Sequence, residues 1–249
     1  MKMMRFGHRP QGSVAILGRR YPTPAVGLAA AVFAVSVGGA LWPALRGLVV
    51  LMPQLAWGGE LWRLATWALL ELNALSLVFA VLMLVWIGSD LARAWGTRRY
   101  LGVAFALAVV PGLLTCLIAL AWPSLMLFPL YSSWAVVEGL TIAWALSFPT
   151  RQIFFFFVLP LNGRRLIAAT VGLTALYAVF SGSEWPFFIP HFLSQALGLL
   201  FMDRLAIVRR LWLKVRLAAY ERELRRRAGH LRVVPRQRPD DDDRPRWLN

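Results

Sequence analysis

Three kinds of side chain in this sequence could do chemistry in an apolar setting: hydroxyls, carboxylates and one imidazole. Ser132, Ser133, Trp134 and Glu138 stand together in YSSWAVVEGL, residues 131 to 140, inside an otherwise apolar stretch. Glu71 lies upstream in LLELNALS, and His191 downstream in PHFLSQALG. A hydroxyl beside an imidazole is the material of an acyl-transfer nucleophile and its base. Two carboxylates in hydrocarbon are the material of a proton relay, or of a socket for partners that carry Arg or Lys. The short list of candidates within apolar segments is Glu71, Asn73, Ser76, Ser132, Ser133, Glu138, His191, Ser194 and Gln195, and each is costly there without a partner.

Membrane-spanning helices must position them. The chain is 59% hydrophobic and only 16% charged, far from the balance of a soluble domain. Crossing about 30 Å of hydrocarbon takes roughly 20 helical residues. Segments of that length are expected near 25–43, 63–88, 100–122, 131–149, 166–182 and 187–207. The first run, ending in SVGGA, reads as a span because it exceeds the roughly 7–15 apolar residues of a signal-peptide core.

A net charge of +15 would suggest nucleic acid in a soluble protein, but the basic residues sit in alternate connections. Lys2, Arg5, Arg9, Arg19 and Arg20 precede the first span, Arg93, Arg98 and Arg99 follow the second, and Arg151, Arg164 and Arg165 follow the fourth. The tail from Arg204 is richer still, while Arg46 and Arg63 are the only basic residues in the opposite connections. This asymmetry places both termini in the cytoplasm and excludes nucleic acid as the expected partner. Three parts are expected: a cytoplasmic N-terminal segment at 1–24, a membrane domain at 25–207, and a tail at 208–249. The tail begins as a basic amphipathic helix, with Trp212, Val215 and Ala219 at helical spacing, and ends in a Pro- and Asp-rich segment too polar to order itself.

Soluble-enzyme signatures are missing. No phosphate loop, paired-histidine zinc motif or dinucleotide fingerprint occurs, so neither a metal nor a cofactor is expected. Cys116 is the sole cysteine and can form no intramolecular disulfide.

Residues 60 to 101, ELWRLATWALLELNALSLVFAVLMLVWIGSDLARAWGTRRYL, resemble the second transmembrane region of the rhomboid family of intramembrane serine proteases. Trp62, Arg63, Leu64 and Thr66 match that family's W-R-L-x-T, and Gly88, Leu91, Arg93 and Gly96 continue in register. LSFPTRQIFFFFVLPLNGRRL is similar to the proline-bounded link into the family's fifth helix. PHFLSQALG is similar to A-H-x-x-G-x-x-x-G, with His191 on the catalytic histidine and Gly198 on the final glycine. The resemblance covers about residues 25 to 207.

The departures weigh more than the matches. The family's nucleophile lies in G-x-S-G-x-x-x-G, and the in-register stretch SSWAVVEG sets Trp134 on the serine and Gly139 on the last glycine. An indole has no oxygen with which to form an acyl-enzyme. Ser76 and Ala80 fall on the H-x-x-x-N pair that the resemblance assigns to oxyanion stabilisation, and Ala80 donates nothing. Ser133 is the fallback nucleophile, should the backbone turn it toward His191. Buried, Trp134 would need an acceptor for its N–H, with Glu138 or Ser194 in reach. Gly139 and Gly198, on different spans, permit close helix approach.

The expectation is therefore an all-α, six-span, rhomboid-like membrane protein that is a noncatalytic pseudoprotease. Its partners would be membrane lipids and transmembrane helices of client proteins, docked at a notch lined by Glu71, Trp134, Glu138 and His191. Two alternatives stand: an active intramembrane serine protease using Ser133 and His191, and a small-solute or proton carrier relaying through Glu71 and Glu138. The Ala, Leu and Arg richness fits a bacterial plasma membrane.

Overall fold

The computed structural model describes residues 12–16, 18–155 and 159–201. The expectations for the tail at 208–249, and for the end of the last span at 207, fall outside them. The chain divides into two units after Asp203, and all the described residues belong to the first unit.

Helices dominate, as the apolar runs require. The long ones are α1 (Thr23–Leu41), α5 (Ala74–Trp95), α6 (Thr97–Ala121) and α8 (Gly163–Phe180). Between α1 and α5 lie three short helices: α2 (Pro43–Val49), α3 (Pro53–Trp57) and α4 (Arg63–Thr66). α7 (Trp134–Ser147) is shorter than the long four, and α9 runs from 189 to 201, the last described residue. Four helices are long and apolar enough to cross a membrane, so six full-length spans are not what the described residues contain. They are not purely helical either. Antiparallel hairpins join β1 (Ser13–Ile16) to β2 (Arg19–Pro22), and β3 (Gln152–Phe155) to β4 (Leu159–Asn162).

Residues 63–73, expected as the start of the second span, form α4, a single 3-10 turn and an extended piece. The helix begins only at Ala74, where Asn73 Oδ1 accepts from Ser76 N at 3.0 Å and satisfies one of the donors a helix start leaves open. α7 is short at both ends. Its first residue follows a turn in which Trp134 N donates to Ser132 Oγ (3.1 Å), and its last precedes Phe148, which Pro149 pushes out of helical geometry to φ −129°.

The W-R-x-x-T stretch holds the connection between α1 and α5 together. Helix α2 ends with carbonyls that have no helical N–H to bond. Arg63 Nη1 donates to Gly47 O (2.5 Å) and Val50 O (2.6 Å), Trp62 Nε1 to Leu48 O (3.2 Å), and Thr66 Oγ1 to Val49 O (3.1 Å). Four successive carbonyls are thus satisfied by three side chains, and the guanidinium stands at the negative end of the helix dipole. The far side of this connection is pinned by a bridge between Leu51 and Leu130 (2.9 and 2.8 Å).

One apolar core runs through α1, α5, α6 and α7. Helix α7 is buried on nearly every face, while α8 turns Leu176, Tyr177, Val179 and Phe180 outward, as a lipid-facing helix does. Helices in lipid gain contact chiefly by approaching closely. A Cβ at Gly198 would sit 2.7 Å from Gly139 O, and one at Gly139 would sit 2.7 Å from Ser194 Oγ. At Gly198 backbone meets backbone, so no rotamer change can yield the space. Gly198→Ala is expected to destabilise by about 1–3 kcal/mol, read as a lowered thermal midpoint in detergent. Gly172→Ala, with nothing within 4 Å of its added Cβ, should lower it far less.

Candidate functional site

The structure gathers the polar residues into two sets. In the first, Glu138 on α7 is the acceptor at the junction of three helices. His191 Nδ1 lies 3.1 Å from Glu138 Oε2, Gln195 Nε2 donates to the same oxygen at 2.9 Å, and Thr174 Oγ1 donates to Oε1 at 3.0 Å. Gln195 Nε2 also donates to Thr174 Oγ1 at 2.7 Å. Groups from α8 and α9 thus converge on both oxygens of Glu138, and a ring carrying its proton on Nδ1 would donate the third of these bonds. Helix periodicity explains the set: His191 and Gln195 are one turn apart on α9, and Thr174 stands one turn after Thr170 on α8. Phe187 and Phe188 close on the imidazole, with ring centroids 5.7 and 5.5 Å away.

In the second set, Glu71 faces the start of α7. Ser132 Oγ and Ser133 Oγ each lie 3.5 Å from Glu71 Oε2, at the long limit of a hydrogen bond. The backbone of Glu71 is fixed to α1, where Ser36 Oγ accepts from Glu71 N (2.9 Å) and donates to Leu69 O (3.2 Å).

The expected site residues divide between these sets and their surroundings. Ser133 is buried, 1% exposed, and its hydroxyl meets Glu71; among the described residues no hydrogen bond joins it to His191. Among the described residues His191 Nε2 has no hydrogen-bond partner although buried, and neither has Gln195 Oε1. Trp134, at the first turn of α7, is half-buried against the main core. Its indole donates to neither expected acceptor. Glu138 is taken by three other groups, and Ser194 Oγ donates to Leu107 O at 3.4 Å, a carbonyl freed because Pro111 has no N–H to offer it. Of the residues expected to line one notch, Glu138 and His191 fall in the first set and Glu71 in the second, and the two sets share no hydrogen-bond partner among the described residues. Asn73 is a helix cap, Ser76 lies in that cap, and Ala80 is fully buried core. Trp62 and Arg63 belong to the α2 clamp.

Two residues of consequence carry little signal in the sequence. Thr174 looks like an ordinary threonine in an apolar helix, and its spacing from Thr170 is the available clue. Asp90, near the arginine-rich end of α5, accepts from Trp144 Nε1 (3.1 Å) and Arg151 Nη1 (2.7 Å), with Arg93 Nη1 at 3.7 Å. It ties α5 to α7 and to the turn after α7, a charge-assisted anchor opposite the Glu71 end. Among the described residues no group of three metal-ligating side chains assembles.

Residues 25–202 match the model of a family described as Eukaryotic integral membrane protein (DUF1751). No curated protein matches the chain. The description is eukaryotic, so the bacterial membrane expected from composition gives way to the broader statement that this is an integral membrane protein.

Proposed function

The chain belongs to this family of integral membrane proteins, and from that premise we propose that it is a noncatalytic, rhomboid-like receptor for transmembrane segments of other proteins. What supports the reading is the division of the two polar sets. The imidazole is held by Glu138 in a three-helix network, while the fallback hydroxyl, Ser133, is turned to Glu71 and an indole takes the aligned nucleophile position. A base and a nucleophile that do not touch provide no acyl transfer. Partly exposed Glu71 offers a carboxylate to a client helix with an Arg or Lys at membrane depth, where such a charge seeks a counterion. Trp134, the residue after Ser133, adds an aromatic ring to the same end of α7.

The direct test is association in nanodiscs between the full chain and two synthetic helices, one polyleucine-based and one with a central Arg. The Arg helix should bind about tenfold more tightly, equivalent to about 1.4 kcal/mol, and Glu71→Gln should erase that margin. Equal binding of both helices by the native chain would refute it. Serine-reactive fluorophosphonate should leave the protein unlabelled; labelling lost on Ser133→Ala would establish the protease instead. The pair of half-buried Glu138 and buried His191, whose Nε2 has no hydrogen-bond partner among the described residues, is what favours a proton carrier as the second reading. Proton flux into proteoliposomes that disappears with Glu138→Gln would establish it.

A further inference from the structure

Between α1 and α6, with Leu84 of α5 among its lining, lies a cavity of about 370 Å³. Leu28 and Val32 line it from α1, and Leu101, Ala104, Phe105 and Ala108 from α6. Leu101 and Phe105, 42% and 62% exposed, form its rim toward the surrounding lipid. The inner end is fixed by hydrogen bonds. Trp67 Nε1 donates to Ala108 O (3.1 Å) and Ser132 N to Trp67 O (3.2 Å), so Thr66 and Ser133, which also line the cavity, stand at its Ala108 end. The other end points toward the first turn of α6. Positions 98, 101, 105 and 108 share one helical face, and the exposed Arg98 therefore stands one turn beyond Leu101, roughly 15 Å along the axis from Ala108.

We propose that this cavity takes one acyl chain of an anionic phospholipid, with the phosphate met by Arg98. Water would find too few polar groups, since only Thr66 and Ser133 bring hydroxyls and both already have acceptors. A hydrocarbon chain needs none. Charge selects the headgroup. Among the described residues neither Arg98 nor Arg99 has a carboxylate within ion-pair distance, and Arg99 lies 5.1 Å over the Trp95 ring in the Arg-and-Trp pattern of a membrane interface. A guanidinium free of protein carboxylates is suited to bidentate phosphate binding. The end of the chain would then lie over Ser133 and keep water from its contact with Glu71.

The experiment takes the full chain, delipidated in detergent, and measures Tm with added phosphatidylglycerol or phosphatidylcholine of the same chains, with native mass spectrometry counting retained lipid. Phosphatidylglycerol at about 100 times its Kd should raise Tm by roughly 5–10 °C, and phosphatidylcholine by less. Ala104→Leu fills the cavity from α6 and should lose the response to both lipids. Leu28→Trp fills it from the half-buried opposite wall and should do the same, deciding the matter if the first variant fails to fold. Arg98→Ala should keep a response and lose the preference for the anionic headgroup. The proposal is overturned if filled variants respond as the native chain does, if Arg98→Ala keeps the preference, if a free fatty acid stabilises as well as phosphatidylglycerol, or if no lipid stabilises at all.

Discussion

Arg63→Met should destabilise the protein by about 3–5 kcal/mol, the range for removing one partner of a buried, hydrogen-bonded charge. The guanidinium is 4% exposed and meets Glu60 Oε2 through Nε at 2.7 Å and Nη2 at 2.5 Å, besides its two carbonyls on the α2 end. Methionine fills the volume but strands Gly47 O, Val50 O and the Glu60 carboxylate. Glu60 is 33% exposed at its side chain, so water recovers part of its solvation while the carbonyls recover little. Arg63→Lys should recover less than half of the loss, because one ammonium cannot reproduce the planar fork that spans all three acceptors. The readout is equilibrium unfolding in mixed micelles. Combining Arg63→Met with Glu60→Gln should cost less than the sum of the two single changes, since each alone orphans the other's charge. An additive pair would show that the carboxylate is irrelevant and the clamp rests on carbonyls alone.

The second large effect belongs to Glu138. Glu138→Leu leaves His191, Gln195 and Thr174 pointing donors at an alkyl group, and its expected cost is about 2–5 kcal/mol. That range is what three interhelical hydrogen bonds amount to at roughly 0.6–1.7 kcal/mol each in a membrane. His191→Phe should cost less than Glu138→Leu. It removes one donor rather than the shared acceptor, and it also removes a buried ring nitrogen, Nε2, that has no hydrogen-bond partner among the described residues. Thermal unfolding of both variants in the same detergent checks the order; a larger loss for His191→Phe would mean that the carboxylate is not the hub.

How much of the fold is legible in the sequence depends on what holds each part. The long apolar helices announce themselves because each needs an uninterrupted run, and α1, α6 and α8 begin within three residues of the expected positions. Residues 63–73 do not, because an apolar run reads alike whether it spans or folds back. Only the short signal E-L-N, with Asn73 able to cap a new helix, marks the restart at Ala74. Glycines on two helices carry a signal for close approach, but their facing each other depends on tertiary register that no local pattern holds. The pairing of polar groups is least legible. Sequence spacing points Glu138 toward Trp134 on its own helix, one turn away, whereas its partners come from α8 and α9. Likewise Asp90 resembles one more charge near a helix end until folding brings Trp144 and Arg151 to it.

The brevity of α7 has a mechanical consequence for the bilayer. Fourteen residues rise only about 21 Å, some 9 Å short of an ordinary hydrocarbon slab. Since Asp90, Trp144 and Arg151 anchor its C-terminal end near the arginine-rich face, the deficit falls at its N-terminal end, around Ser132, Ser133 and Glu71. Because α7 is buried on nearly every face, that depth is closed by the chain's own connections, with Ser132 N donating to Trp67 O and Leu51 bridged to Leu130, so the bilayer meets folded protein there rather than a bare helix end.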